Sequence, residues 1–185
     1  MKIKKYVFLD RDGVINEDPG YVQNWRQFKF LDGSIEAITK LYKNGFDVII
    51  ITNQSGVKKG IINLDDLKNI FKLLKSEIKA NGGEIKDIFY CPHSDVDECV
   101  CRKPKPGMIL KAKDIYNIDI SQACLVGDSA RDIECGINAG CGHTILVKTG
   151  HGHEAKKTLS EKNIYPNFIA NDLFHASEWI IKNLL

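Results

Sequence analysis

The stretch Lys5-Tyr6-Val7-Phe8-Leu9-Asp10-Arg11-Asp12-Gly13-Val14-Ile15-Asn16 decides how the rest of the chain is read. Residues 5–9 form a run of strand length, apolar from Tyr6 onward, that stops at two carboxylates and a glycine. The pattern returns twice. Residues 47–52 (Asp-Val-Ile-Ile-Ile-Thr) read as a buried, β-branched parallel strand, and Thr52-Asn53-Gln54-Ser55-Gly56 closes it. Residues 123–126 run into Gly127-Asp128-Ser129-Ala130-Arg131-Asp132. Further strands are expected at 85–90 and 144–147, with a short edge strand at 167–170. Between them lie helix-period segments. The clearest is 64–81, where Leu64, Leu67, Ile70, Phe71, Leu74 and Ile78 line one face; Asn63 caps it and Asn81-Gly82-Gly83 stops it. Others are expected at 35–44 (with Ser34 or Asp32 as N-cap and Gly45 as its end), 108–116, 130–138 and 173–184. Residues 150–166 are weakly patterned. Strand–helix alternation of this kind predicts an α/β fold, a three-layer Rossmann-like parallel sheet with helices on both faces. Ligands of such sheets bind beyond the carboxyl ends of the strands.

Bulk properties narrow the function classes. At 185 residues, 43% hydrophobic and 27% charged, the chain fits one globular domain over residues 1–185. A net charge of +2, with no basic block or aromatic-basic stripe, argues against nucleic acid as a partner. The basic start, Met1-Lys2-Ile3-Lys4-Lys5, is followed by only four apolar residues, too few for a secretory or membrane-spanning segment. A cytoplasmic protein without membrane contact is therefore expected, with reduced cysteines. It is expected to be a monomer.

Each polar strand end has a plain structural reading when taken alone. Asp10-x-Asp12-Gly13 could be a solvated turn, Thr52-Asn53 a polar loop, Asp128 a helix N-cap, and Lys103 a surface lysine. Together they make one site. Two carboxylates two residues apart can divide phosphoryl-transfer chemistry, with Asp10 as nucleophile and Asp12 as general acid and then base. Asp128 adds oxygen for Mg²⁺, and Thr52 and Lys103 hold phosphoryl oxygens.

These residues resemble the four signature motifs of the haloacid dehalogenase (HAD) superfamily. The finer pattern, Asp-Arg-Asp-Gly-Val-Ile-Asn, Gly20-Tyr21-Val22, Thr-Asn-Gln-Ser-Gly and Cys101-Arg102-Lys103-Pro104-Lys105-Pro106-Gly107-Met108, is similar to the bacterial heptose-1,7-bisphosphate 7-phosphatases across about residues 5–150. The resemblance implies a HAD-like fold without a large cap domain and a Mg²⁺-dependent phosphomonoesterase acting on a small phosphorylated sugar. In it Asp10 matches the nucleophile, Asp12 the acid/base, and Thr52 and Lys103 the phosphoryl-stabilising groups. Magnesium is held by Asp10, the Asp12 carbonyl and Asp128. Arg102 matches a residue that recognises substrate; Asp18, Gly20, Tyr21, Asn53, Gln54, Ser55 and Ser129 match substrate contacts. The stretch from His93 to Cys99 is also similar to histidinol-phosphate phosphatases, which share the chemistry. A third alternative, a non-catalytic binding module on the same scaffold, should have lost one of Asp10, Asp12 or Asp128, and none is lost.

Cys91, His93, Cys99 and Cys101 give a Cys₃His set within a loop at about 91–106. Four protein ligands make a structural zinc site, which would order the loop that carries Arg102 and Lys103. A chance cluster or a redox pair at Cys99 and Cys101 are the alternatives; a Cys-x-Cys disulfide is strained. Cys124, Cys135 and Cys141 read as small buried hydrophobes. His151-Gly152-His153 reads as a flexible surface loop away from any acidic strand end, and His143 and His175 as ordinary packing or exposure.

Overall fold

In the computed structural model, which describes residues 5–185, six strands form one parallel sheet; the basic run at residues 1–4 lies outside the described part. The strands are β1 (Lys5–Leu9), β2 (Phe46–Asn53), β3 (Asp87–Cys91), β4 (Cys124–Gly127), β5 (His143–Val147) and β6 (Phe168–Ala170), in the spatial order β3-β2-β1-β4-β5-β6. The helices are α1 (Ser34–Lys43), α2 (Leu64–Ala80), α3 (Gly107–Tyr116), α4 (Ala130–Ala139), α5 (Gly152–Glu161) and α6 (Leu173–Leu184).

Side-chain alternation along each strand assigns the two faces. Val7 and Leu9 of β1, with Val48 and Ile50 of β2, pack against Ile38 and Leu41 of α1, Ile70 and Leu74 of α2, and Ala176 and Ile180 of α6. Tyr6, Phe8, Ile49 and Ile51 face the other way, onto Met108, Ile109 and Ala112 of α3. Leu146 meets Ile133 of α4 and Ala155 and Leu159 of α5 on that same side. Each such aliphatic or aromatic side chain contributes about 1.5–3 kcal/mol when fully buried.

The chain builds β1 to β3 toward one edge and then β4 to β6 toward the other. β1 and β4 are therefore neighbours at the switch point, where a crevice opens beyond the strand ends. Their register pairs Leu9 with Val126, and the Asp10 amide donates to the Val126 carbonyl at 3.0 Å. Asp10 and Asp128 thereby leave the sheet side by side. The β1–α1 connection folds back as a loop carrying one short 3₁₀ turn (Trp25–Gln27), and no cap domain is inserted after β1 or β2.

Two expectations about local structure differ from what is found. The N-cap of α1 is Gly33, at a left-handed φ of 74° with no side-chain cap; Ser34 is the first helical residue and is buried, so neither it nor Asp32 caps the helix. The weakly patterned segment contains α5. Its only buried apolar side chains are Ala155 and Leu159, four residues apart, and two positions leave too faint a periodicity to read. Asn63 does cap α2, accepting from the Asp65 amide at 2.8 Å. No helix among the described residues is long and apolar enough to cross a membrane.

Candidate active site and metal clusters

A cleft of about 220 Å³ lies at the switch point and is lined by residues from the ends of β1, β2 and β4, the β1–α1 connection, the 91–106 loop, the first turn of α4 and the N-cap of α5. Lys103 stands at its base. Its ammonium, almost fully buried, lies 2.8 Å from Asp10 Oδ1 and 2.5 Å from Asp132 Oδ1 in ion-pair contacts, and donates to the Ile51 carbonyl at 3.1 Å. Burial alone would discharge such a lysine, but Asp10 and Asp132 reverse the shift and raise its pKa. Asn53 fixes its backbone: Asn53 Oδ1 accepts from the Lys103 amide at 3.1 Å and Nδ2 donates to the Lys103 carbonyl at 3.2 Å.

Asp10 Oδ1 also accepts from the Arg11 amide at 2.7 Å, which leaves Oδ2 without a hydrogen-bond donor among the described residues. Asp12 is gripped from three sides. Arg11 Nη2 donates to both its oxygens at 2.6 and 2.7 Å, Asn16 Nδ2 to Oδ1 at 2.9 Å, and Gln54 Nε2 to Oδ2 at 2.9 Å. Gln54 Nε2 also donates to Thr52 Oγ1 at 2.9 Å. The Thr52 oxygen thus acts as acceptor, and its O–H is left to donate into the cleft.

Asp128 is seated by glycines. A Cβ at Gly13 (φ 79°) or at Gly150 (φ 54°) would fall 2.1 Å from Asp128 Oδ2, so only glycine fits either place. The same oxygen accepts from the His151 amide at 2.8 Å. Ligand oxygens of Asp10, Asp128 and Asp132 all lie within 4.8 Å of one another. Asp132 is already committed, with Oδ1 against Lys103 and Oδ2 accepting from Ser129 N and Oγ at 3.0 and 2.6 Å. Asp10 and Asp128 are the carboxylates left for a cation. Burial pushes the Asp10 carboxyl well up, with Lys103 opposing and the acidic neighbours assisting. Burial and Asp132 bring Asp128 to about 7. Carboxylates pressed together in this way fit a divalent ion, and an octahedral magnesium takes oxygen ligands of this kind. The Asp12 carbonyl accepts no hydrogen bond among the described residues, which leaves it open as a further oxygen ligand.

The second cluster is sulfur-rich. Cys101 Sγ lies 3.0 Å from Cys91 Sγ and 3.6 Å from Cys99 Sγ, Cys91 lies 3.5 Å from Cys99, and His93 Nδ1 is 3.3 Å from Cys101 Sγ. Tetrahedral zinc with Zn–S bonds of about 2.3 Å spaces sulfurs about 3.7 Å apart, so the set needs only slight opening to hold it. Burial opposes ionisation of Cys99, but the Arg102 amide and the neighbouring thiols outweigh it and lower its pKa to about 7.

The family model for HAD-hydrolase-like proteins matches residues 100–176. The D-glycero-beta-D-manno-heptose-1,7-bisphosphate 7-phosphatase of Vibrio cholerae is 42% identical over 154 residues, covering 80% of this chain and 83% of that protein. The chain belongs to the heptose-1,7-bisphosphate 7-phosphatase family of HAD-like hydrolases. Another member, the D-glycero-alpha-D-manno-heptose-1,7-bisphosphate 7-phosphatase of Photorhabdus laumondii, is 40% identical, covering 80% of this chain and 84% of its own. Overall identity therefore carries no anomer preference. A solved structure of D,D-heptose 1,7-bisphosphate phosphatase from B. bronchiseptica, complexed with magnesium and phosphate, superposes with a TM-score of 0.89 at 34% identity. It covers 96% of this chain and 98% of that one.

Within this family site, Asp10, Asp12, Asp18, Gly20, Thr52, Asn53, Arg102, Lys103, Asp128 and Ser129 all line the cleft. Tyr21, Gln54 and Ser55 do not. Gln54 is buried behind it on Asp12 and Thr52, and the Tyr21 hydroxyl accepts from Lys59 at 3.0 Å. His151 corrects an expectation. It is no distant loop residue: it precedes α5, its amide holds Asp128, and its Nε2 lies 3.3 Å from Asp18 Oδ2. The acidic strand end is close because Gly152 lets the chain press onto β5, where a Cβ would meet the Val147 carbonyl at 1.9 Å. Arg11 and Asp132 were also missed as site residues. The spacing of Ser129 and Asp132 spells a capping box, which is a readable signal; for Arg11 there was none.

Proposed function

We propose that this protein is a magnesium-dependent phosphomonoesterase that removes the 7-phosphate of D-glycero-D-manno-heptose 1,7-bisphosphate through an aspartyl-phosphate on Asp10. The observation that carries this reading is the convergence of Asp10, Thr52, Lys103 and Asp128 on one cleft. When bound between Asp10 and Asp128, magnesium supplies the positive charge that lets a carboxylate approach a phosphate. Lys103 and the Thr52 hydroxyl take the equatorial oxygens, whose charge grows in the transition state. An Asp10 carboxylate oxygen attacks phosphorus, and the bond from phosphorus to the sugar O7 breaks. Its electron pair stays on O7, which takes the proton carried by Asp12. Water then attacks the same phosphorus, Asp12 accepts a proton from it, and the Asp10–phosphate bond breaks to release phosphate.

The same reading assigns a structural zinc to Cys91, His93, Cys99 and Cys101 within the 91–106 loop, supported by the compact ligand set, and expects a cytoplasmic enzyme, where such thiols stay reduced. Absence of a cap to shield a phospho-enzyme from water favours hydrolysis over phosphate transfer to a second sugar. Phosphate release should be measured with Mg²⁺, with and without chelator, on both heptose 1,7-bisphosphate anomers and on histidinol phosphate. A kcat/KM for histidinol phosphate above that for both bisphosphates would overturn the substrate assignment.

A further inference from the structure

Arg11 is a charged side chain only 1% exposed, and burying such a group is costly unless it is paired. Among the described residues every hydrogen bond of its guanidinium goes to Asp12. Nε donates to Asp12 Oδ1 at 3.0 Å, and Nη2 donates to Oδ1 at 2.6 Å and to Oδ2 at 2.7 Å, while Nη1 has no acceptor. The Phe71 ring backs the guanidinium at 5.9 Å. The Arg11 carbonyl accepts from the amides of Val14, Ile15 and Asn16 at 3.3, 2.8 and 3.2 Å, so the backbone beneath this side chain is fixed as well. Asp12 is 20% exposed and lines the cleft, so the pair runs from the core to the reacting groups. The two Asp12 oxygens are held unequally. Oδ1 takes Arg11 Nε, Arg11 Nη2 and Asn16 Nδ2. Oδ2 takes Arg11 Nη2 and the neutral amide of Gln54, whose Nε2 is shared with Thr52 Oγ1. A charged fork holds a carboxylate more firmly than a neutral amide does. Oδ2 is thus the more lightly held oxygen, and it shares its amide donor with the hydroxyl assigned to the phosphoryl group.

We propose that Arg11 is a positioning residue for proton transfer: with Asn16 it anchors Asp12 by Oδ1 and leaves Oδ2 as the oxygen that exchanges the proton with the leaving group. This rests on the phosphomonoesterase reading and deepens it. As the bond from phosphorus to O7 breaks, its electron pair takes the proton from Asp12 Oδ2. The Oδ2–H bond breaks, the O7–H bond forms, and Asp12 is left as the carboxylate that later accepts a proton from water.

The test uses the full chain with magnesium and measures kcat/KM, which reports the steps up to departure of the leaving group and not the later hydrolysis of the phospho-enzyme. The substrates are heptose 1,7-bisphosphate and a series of ring-substituted phenyl phosphates ending at p-nitrophenyl phosphate. A p-nitrophenolate leaves without a proton, whereas a sugar alkoxide needs one. Asp12→Ala sets the reference: its loss should grow steeply with the pKa of the leaving group. Arg11→Lys keeps the charge but loses the fork. It should lower kcat/KM for the heptose ester about 100-fold, the scale of a misplacement of about 1 Å, and for p-nitrophenyl phosphate much less. Asn16→Ala removes the other anchor of Oδ1 and should steepen the same dependence, so the idea stands or falls even if Arg11→Lys does not fold. Gln54→Leu should lower all the esters by a similar factor, through Thr52, without steepening. Parallel losses across the series in Arg11→Lys and Asn16→Ala would make Arg11 a structural residue and overturn the proposal. Steepening by Gln54→Leu as large as that by Asn16→Ala would overturn the choice of Oδ2. An Asp12→Ala variant with no steepening would overturn the acid/base reading beneath it.

Discussion

Replacing Asp132 by alanine removes a fully buried carboxylate that ties three groups together. Its Oδ1 pairs with Lys103, and its Oδ2 receives the amide and hydroxyl of Ser129 in the capping box of α4. Breaking a buried ion pair by deleting one partner costs about 3–5 kcal/mol. The lower end applies here, because Lys103 keeps Asp10 at 2.8 Å and the Ile51 carbonyl at 3.1 Å. Loss of the cap adds about 1 kcal/mol. Relief of repulsion offsets part of this, since Asp132 lies within the same 4.8 Å cluster as Asp10 and Asp128. A net destabilisation of about 3 kcal/mol should lower Tm by about 6–12 °C in a chain of this size. Circular dichroism melts at pH 7.5 in chelator measure it without interference from metal binding. Asp132→Asn preserves shape and an acceptor for Ser129, so it should lose distinctly less. In both variants kcat should drop, because the Lys103 ammonium is drawn toward Asp10, its one remaining carboxylate partner. A melt of Asp132→Ala within about 2 °C of wild type, with kcat unchanged, would refute the view that Asp132 holds the lysine in place.

Asp10→Asn should reduce turnover by at least about 10⁴-fold, as expected for loss of a covalent nucleophile, while its circular dichroism spectrum stays native; substantial residual activity would remove Asp10 from that role. Cys101→Ser should lower both bound zinc and Tm, checked by elemental analysis and thermal melts, and unchanged zinc would refute the Cys₃His assignment. The raised Asp10 and Asp128 carboxyls make the metal-free fold bind more protons than the unfolded chain from about pH 4 to 7, so their contribution to stability declines as pH rises through that window. Magnesium should therefore raise Tm more at pH 7.5 than at pH 5, and the opposite order in paired melts would contradict the placement of these acids.

What was legible in the sequence was the part governed by short-range periodicity. The β-branched run ending at Thr52 and the apolar face from Leu67 to Ile78 announce their elements without tertiary help. The acids at 10 and 128 were legible because a parallel sheet sends all its strand ends to one side. The groups behind them were not. Strand alternation turns Arg11 away from Asp10 and Asp12, yet its side chain is buried and curls back onto Asp12, since Asp12 and the Phe71 ring give the guanidinium partners that no local pattern encodes. Gln54 was expected at the substrate and lies one layer further back, where Asp12 and Thr52 take up its amide. The His151 amide reaches Asp128 only because two glycines, distant in sequence, leave room for the carboxylate.

These supporting contacts share one feature: each charged group assigned to the reaction is held by a partner from another segment of the chain. Asp10 is held by Lys103, Asp12 by Gln54 beyond β2, Asp128 by the backbone before α5, and Lys103 by Asn53 at the end of β2. Asp10, Thr52 and Asp128 take their spacing from strands that pair in fixed register. Lys103 is the exception, because it sits on a loop and no ladder sets its height. Its backbone is caught between the Asn53 side chain and the Cys91–Cys101 cluster that begins where β3 ends. Positioning errors of about 1 Å can cost about 100-fold in rate, so the loop carrying this lysine needs a rigidity that the exposed Val96 and Val100 on it cannot provide by burial. Sulfur ligation of a metal beside Lys103 meets that need, and it ties the proposed zinc to kcat as well as to stability.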